Sequence, residues 1–123
     1  SPHNFSKDVE TAWKVFRMGE INDSKALFRE ILTKYPKNIE SYLNVSEFYN
    51  RCEDFDLSIR VLKKGLEIEP HSAVLCWTLA MVYNQKKMSK EAMTMLSHAL
   101  ELGLNEKLQN QGRIILGLWK KSN

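Results

Sequence analysis

Cysteine is scarce in this chain, with two among 123 residues. Two cannot staple a small secreted scaffold, so the fold must come from packing. Proline and glycine are also few, at three and five. The glycines form neither GxxxxGK nor GxGxxG, so no phosphate-binding loop is present. No apolar run approaches the ~18 residues of a membrane-spanning helix. Neither sign of charge dominates: 18 Lys and Arg against 15 Asp and Glu leave a net charge of +3. That is too little to keep a chain expanded. The basic runs, Lys63-Lys64, Lys86-Lys87 and Lys120-Lys121, are short. They read as solvated helix ends, and nucleic acid is not expected as a partner.

Catalytic chemistry is equally thin. His3, His71 and His98 are scattered, and no pair stands at i and i+4 beside a carboxylate, so neither a metal nor a cofactor is expected. Neither cysteine has a base beside it in sequence. Glu67, Glu69 and Glu101 fall at exposed helix ends. The chain is therefore expected to have no catalytic residues and not to be an enzyme. It starts Ser1-Pro2-His3, which reads as processing or as a piece of something longer. A positively charged segment followed by an apolar run is lacking, which makes the cytoplasm the default location.

What is present is apolar substance. The chain is 43% hydrophobic and 10% aromatic, and one of this length buries roughly two-thirds of its unfolded surface. It also repeats. Pro36 and Pro70 are 34 apart, and the same step reaches Leu104. That step links Ala12, Ser46 and Ala80, all small, and Ser24, Ser58 and Ala92, small again. It links Phe28, Leu62 and Leu96, then Leu32, Leu66 and Leu100, then Val15, Tyr49 and Tyr83, all bulky. Small residues let helix backbones approach and large ones fill the space beside them. Apolar spacing within each period is helical, as in Val45, Phe48, Tyr49 and Leu57, Val61, Leu62. Each period divides into two helices, with breaks near Gly19-Glu20, Glu53-Asp54 and Lys87-Met88. Asn22 or Asp23, Asp54 and Ser89 are the expected N-caps of the second helices.

The pattern resembles the tetratricopeptide repeat, which places an aromatic, Leu-Gly, Tyr, Ala, Phe and Pro at set spacing. The middle period fits through Tyr42, Val45-Ser46, Tyr49, Ser58, Leu62 and Pro70. The third fits through Cys76, Leu79-Ala80, Tyr83, Ala92 and Leu96, with Leu104 in place of Pro. The first departs most, with Asp8 where the aromatic belongs. The resemblance implies an all-α, right-handed α-solenoid of three helix-turn-helix units plus a capping helix, about seven helices in all. Residues 1–4 are a lead-in. The repeats occupy 5–104, divided as 5–38, 39–72 and 73–104. A C-terminal helix spans 105–121, either a cap or half of a further repeat. In that arrangement Cys52 and Cys76 are offset by about ten residues, roughly 15 Å along the axis. A disulfide needs Cα atoms within ~7 Å, so both are expected as free thiols.

In this family the first helices line a concave groove that usually binds a peptide. Carried over by column, the groove takes Ser6, Val9, Trp13, Phe16 and Arg17 from the first repeat. The second supplies Glu40, Leu43, Asn44, Glu47, Asn50 and Arg51, and the third Val74, Trp77, Met81, Asn84 and Gln85. Exposed aromatic and methionine side chains mark interaction sites. Alternatively, Trp13 and Trp77 tuck between helices as core. The chaperone-tail clamp of some relatives needs cations and amides at Val9, Trp13, Asn44, Val74 and Thr78, and only Asn44 fits. The implied function is a protein–protein interaction module, an adaptor, scaffold or chaperone-like piece, that binds an apolar or amphipathic segment in its groove. The alternative is an assembly segment that self-associates through Ile115, Leu118 and Trp119 of the last helix.

Overall fold

The computed structural model describes residues 4–122, so all but Asn4 of the lead-in, and His3 with it, lie outside the described residues. Seven helices follow one another: α1 Phe5–Arg17, α2 Ile21–Lys34, α3 Ile39–Arg51, α4 Phe55–Ile68, α5 Ala73–Gln85, α6 Ser89–Leu102 and α7 Glu106–Ser122. Each helix packs on its neighbour in the chain, and α3 also meets α5. The result is an α-solenoid.

The 34-residue step governs the backbone as well as the core. Gly19, Glu53 and Lys87 all have positive φ, at 85°, 58° and 61°. In each turn the residue at positive φ donates its N–H to the carbonyl three back, and the next residue donates to the carbonyl five back. The pairs are Phe16 and Val15, Asn50 and Tyr49, and Asn84 and Tyr83. This is the Schellman closure, which satisfies the last carbonyls of α1, α3 and α5. The first helices begin on a second periodic set. Asn4 accepts from Lys7 N–H, Asn38 from Glu40 N–H and Ser72 from Leu75 N–H.

Two of the cap assignments made from sequence are wrong. The second helices are capped at Glu20, Asp54 and Met88, again 34 apart, and only Asp54 offers a side-chain acceptor. Asn22 and Asp23 lie inside the first turn of α2, and Ser89 is the first residue of α6. The Schellman turn fixes where the next helix starts, so a column with a poor capping residue still carries the cap.

The core follows the size columns. Ala12, Ser46 and Ala80 are fully buried against Ser24, Ser58 and Ala92, with Phe28, Leu62 and Leu96 beside them. Burying each of the large three stabilises the fold by about 1.5–3 kcal/mol. The buried hydroxyls are satisfied across the helix pair. Ser24 Oγ donates to the Ala12 carbonyl at 3.0 Å, and Ser58 Oγ to that of Ser46 at 3.2 Å. Each bond demands the close approach that the small columns permit. Phe28 stacks on Phe48 with centroids 4.8 Å apart, tying repeat one to repeat two. Asp8, in the aromatic column, accepts from the Tyr35 hydroxyl at 2.7 Å. The first repeat thus makes a polar contact in the column where the second places the Tyr42 ring.

Candidate functional site

Helices α3 and α5 lie side by side and leave an open hollow of about 400 Å³ between them. Glu47, Asn50 and Arg51 line it from α3. Trp77, Thr78, Met81, Val82 and Gln85 line it from α5. These side chains share faces because 47, 50 and 51, like 77, 78, 81 and 85, are three or four residues apart on a helix. Of the residues assigned to the groove from sequence, Glu47, Asn50, Arg51, Trp77, Met81 and Gln85 come together here. Val82, 3% exposed, and Thr78 also form part of the lining, although the groove columns do not include them. Val82 follows Met81 directly, and both reach the same wall.

The first-repeat residues sit differently. Trp13 is half-buried. Its ring meets Phe28 edge-on at 4.7 Å and Phe16 at 5.5 Å, and Phe16 meets Phe48 at 5.7 Å. Its indole N–H donates to Asn44 Oδ1 at 3.0 Å, and Asn44 in turn donates to the Glu40 carbonyl. Arg51 lies over the same ring, 5.2 Å from its centroid, and is paired to Glu47 at 2.9 Å. Trp13 is therefore both a core wedge and the floor beneath Arg51. Phe16 belongs with the core rings. Val9 and Leu43 are half-buried against the core, while Val74, Asn84 and Arg17 are exposed outside the hollow.

Trp77 ties the hollow to α7. A side-chain carbon placed on Gly112 would stand 3.0 Å from Trp77 Cζ3 and 2.8 Å from Leu100 Cδ2, so α7 can lie this close only because residue 112 is glycine. That contact sets the face α7 turns inward. From Gly112 the inner stripe runs through Ile115 and Leu116 to Trp119, and Trp119 packs on the core. The outward residues are instead Ile114 and Leu118, 65% and 58% exposed. The expected face of Ile115, Leu118 and Trp119 is corrected accordingly: Leu118 stands on the exposed flank beside Ile114, while Ile115 and Trp119 are half-buried.

Cys76 is buried and Cys52 half-buried, and both are free thiols. Burial pushes each thiol up, with Lys25 partly offsetting this at Cys52. Thiols held in this way are poor nucleophiles. No group of three His, Cys, Asp or Glu among the described residues could hold a metal ion. No helix among them is long and apolar enough to cross a membrane.

The tetratricopeptide repeat family matches residues 39–72 and 73–102. The chain belongs to this family. A mouse relative, interferon-induced protein with tetratricopeptide repeats 2, is 34% identical over 65 residues, 53% of this chain. The match spans 14% of that relative's length. Among solved structures, the Yersinia enterocolitica type III secretion chaperone SycD, in complex with a peptide of the translocator YopD, superposes with a TM-score of 0.83. It is 18% identical, over 99% of this chain and 96% of that one. PcrH, in complex with the chaperone binding region of PopD, gives a TM-score of 0.80 at 11% identity, over 95% and 91% of the two chains. The protein MamA gives 0.75 at 19%, over 96% and 63%. These likenesses show that the described residues share the helical-repeat fold of those structures.

Proposed function

We propose that this tetratricopeptide chain is a protein-interaction module, adaptor or chaperone-like, whose hollow between α3 and α5 receives an apolar or amphipathic segment of another protein. The observation that carries the reading is the hollow's lining. Trp77 and Met81 give onto an open cavity of about 400 Å³, where a self-contained domain would bury them. Trp is a rigid anchor and Met adapts its shape to an occupant. The two charged groups beside them, Glu47 and Arg51, are paired to each other, so the hollow favours an uncharged occupant. Solved relatives of the same fold carry peptides of their partners, which supports the same use here.

Selection of peptides from a displayed random dodecamer library tests this. Met81→Glu sets a carboxylate in the hollow near Glu47, and binding of the selected peptides should weaken at least ten-fold with thermal stability unchanged. Binding equal to that of the parent protein would refute the site. Met81 is the better probe than Trp13, whose ring supports the core.

A second reading is assembly through α7, favoured by the outward Ile114 and Leu118. Sedimentation at tens of micromolar should then show a dimer that Leu118→Lys dissolves. A monomer throughout that range removes this reading and leaves the first untouched.

A further inference from the structure

The net charge of the chain is +3, and α7 alone accounts for it. Lys107, Arg113, Lys120 and Lys121 stand there against one acid, Glu106, so the remainder of the chain is neutral overall. All four cations are exposed, and none takes part in an ion pair among the described residues. Lys107 and Lys121 lie two turns either side of the outward Ile114, on the same face of the helix. Ile114 and Leu118 thus form an exposed apolar ridge framed by unpaired positive charge.

The 34-residue step gives the form of what fits this face. One step on from Ala80 and Tyr83, both buried beside α6, stand Ile114 and Gly117, both exposed. In each of the three repeats the matching face of the first helix is covered by the second helix, and α7 rests on α6 as α5 rests on α4. Among the described residues no helix covers α7 in this way. The sizes are also reversed. A large residue stands in the column of Ala12, Ser46 and Ala80, and glycine in the column of Val15, Tyr49 and Tyr83. A helix laid on α7 therefore stands off at Ile114 and comes close at Gly117, unlike the second helix of a repeat. Glycine inside a helix costs stability, and nothing within 4 Å of Gly117 calls for it in the free chain. From charge and shape together we infer that the outward face of α7 docks an amphipathic helix of another protein, with acidic residues flanking its apolar stripe. This gives the face of the assembly reading a different occupant. A second copy of the chain fits poorly, since it sets four cations against four.

The test selects helical peptides of 17 residues, the length of α7, from a displayed library in which Ala, Leu, Glu and Lys vary freely. Selected peptides should carry a clear excess of Glu over Lys and bind about ten-fold less tightly when salt rises from about 50 to about 500 mM. Lys107→Glu combined with Lys121→Glu should weaken binding about ten-fold at unchanged melting temperature. Gly117→Ala should melt higher than the parent yet bind about ten-fold less tightly, a split that a purely structural glycine would not produce. Failure to select any helix overturns the inference, as do peptides without an acidic excess or equal binding by parent and Gly117→Ala. Displacement of the helix by a dodecapeptide selected for the hollow also overturns it, by placing the helix there instead. Capture of the chain by phosphatidylserine vesicles, unaffected by Gly117→Ala, gives the face to lipid. A dimer dissolved by Leu118→Lys gives it to a second copy. Either result overturns the inference and leaves binding in the hollow standing.

Discussion

Two glycines of α7 predict opposite outcomes for the same substitution. Gly112 and Gly117 both lie inside the helix, so alanine at either gains about 1 kcal/mol of helix propensity. At Gly117 nothing lies within 4 Å of the added carbon, and the gain is kept. At Gly112 the new carbon stands 2.8 Å from Leu100 Cδ2 and 3.0 Å from Trp77 Cζ3. Leu100 can swing, but the Trp77 ring is broad and rigid, so α7 has to move out. Overpacking of this kind costs about 1–3 kcal/mol. The propensity term is common to both variants, so the difference between them is the overpacking cost itself. Gly117→Ala should stabilise by about 0.5–1 kcal/mol and Gly112→Ala should destabilise by about 1 kcal/mol net. Urea unfolding followed by circular dichroism measures both, and amide exchange along α7 shows where the loss falls. Exchange should quicken in α7 of Gly112→Ala and leave α3 unchanged. Equal shifts in the two variants would refute the close approach of α7 to Trp77.

Further outcomes follow from the turns, the first repeat and the thiols. Glu53 and Lys87 adopt a left-handed backbone that Gly19 adopts freely, so Glu53→Gly and Lys87→Gly should each stabilise by about 1 kcal/mol, read in thermal melts. Tyr35 is pushed up to about 12 by burial and by its bond to Asp8. The unfolded side chain loses its proton near 10 and the folded one holds it longer, so this contribution is complete below pH 10 and is lost between about 10 and 12. Urea midpoints measured across that range should fall with rising pH, and Tyr35→Phe should flatten the fall. Ser58→Ala removes the bond to the Ser46 carbonyl and should cost about 1 kcal/mol in the same urea assay. Ellman's reagent should modify Cys52 slowly and Cys76 only on unfolding, because burial holds both thiols protonated and Cys76 is wholly enclosed.

The fold was legible because its determinants are side-chain volumes recurring at a fixed step. Ala12, Ser46 and Ala80 can face Ser24, Ser58 and Ala92 in only one kind of helix pair, and size is written directly in the sequence. The caps were less legible. Met88 and Glu20 occupy capping positions that the preceding Schellman turn imposes, and neither residue type signals a cap. The groove was half legible for a related reason. A helical register says which side chains point the same way, and this brought Glu47, Asn50, Arg51, Trp77 and Met81 to one place. It does not say how far a neighbour leans in. Trp13 is drawn down by Phe28 and Asn44, and α7 is turned by the contact at Gly112 so that Ile114, rather than Ile115, faces outward. These are contacts between residues far apart in the chain, and periodicity is blind to them.

The central claim is that the hollow between α3 and α5 is where a partner segment binds. Amide and side-chain NMR shifts recorded during titration with a library-selected peptide test it most directly. The account predicts the largest changes at the Asn50 side-chain amide, the Met81 methyl and the Trp77 indole, with Ile114 and Leu118 unmoved. Changes confined to α7, with the hollow silent at saturating peptide, would contradict it.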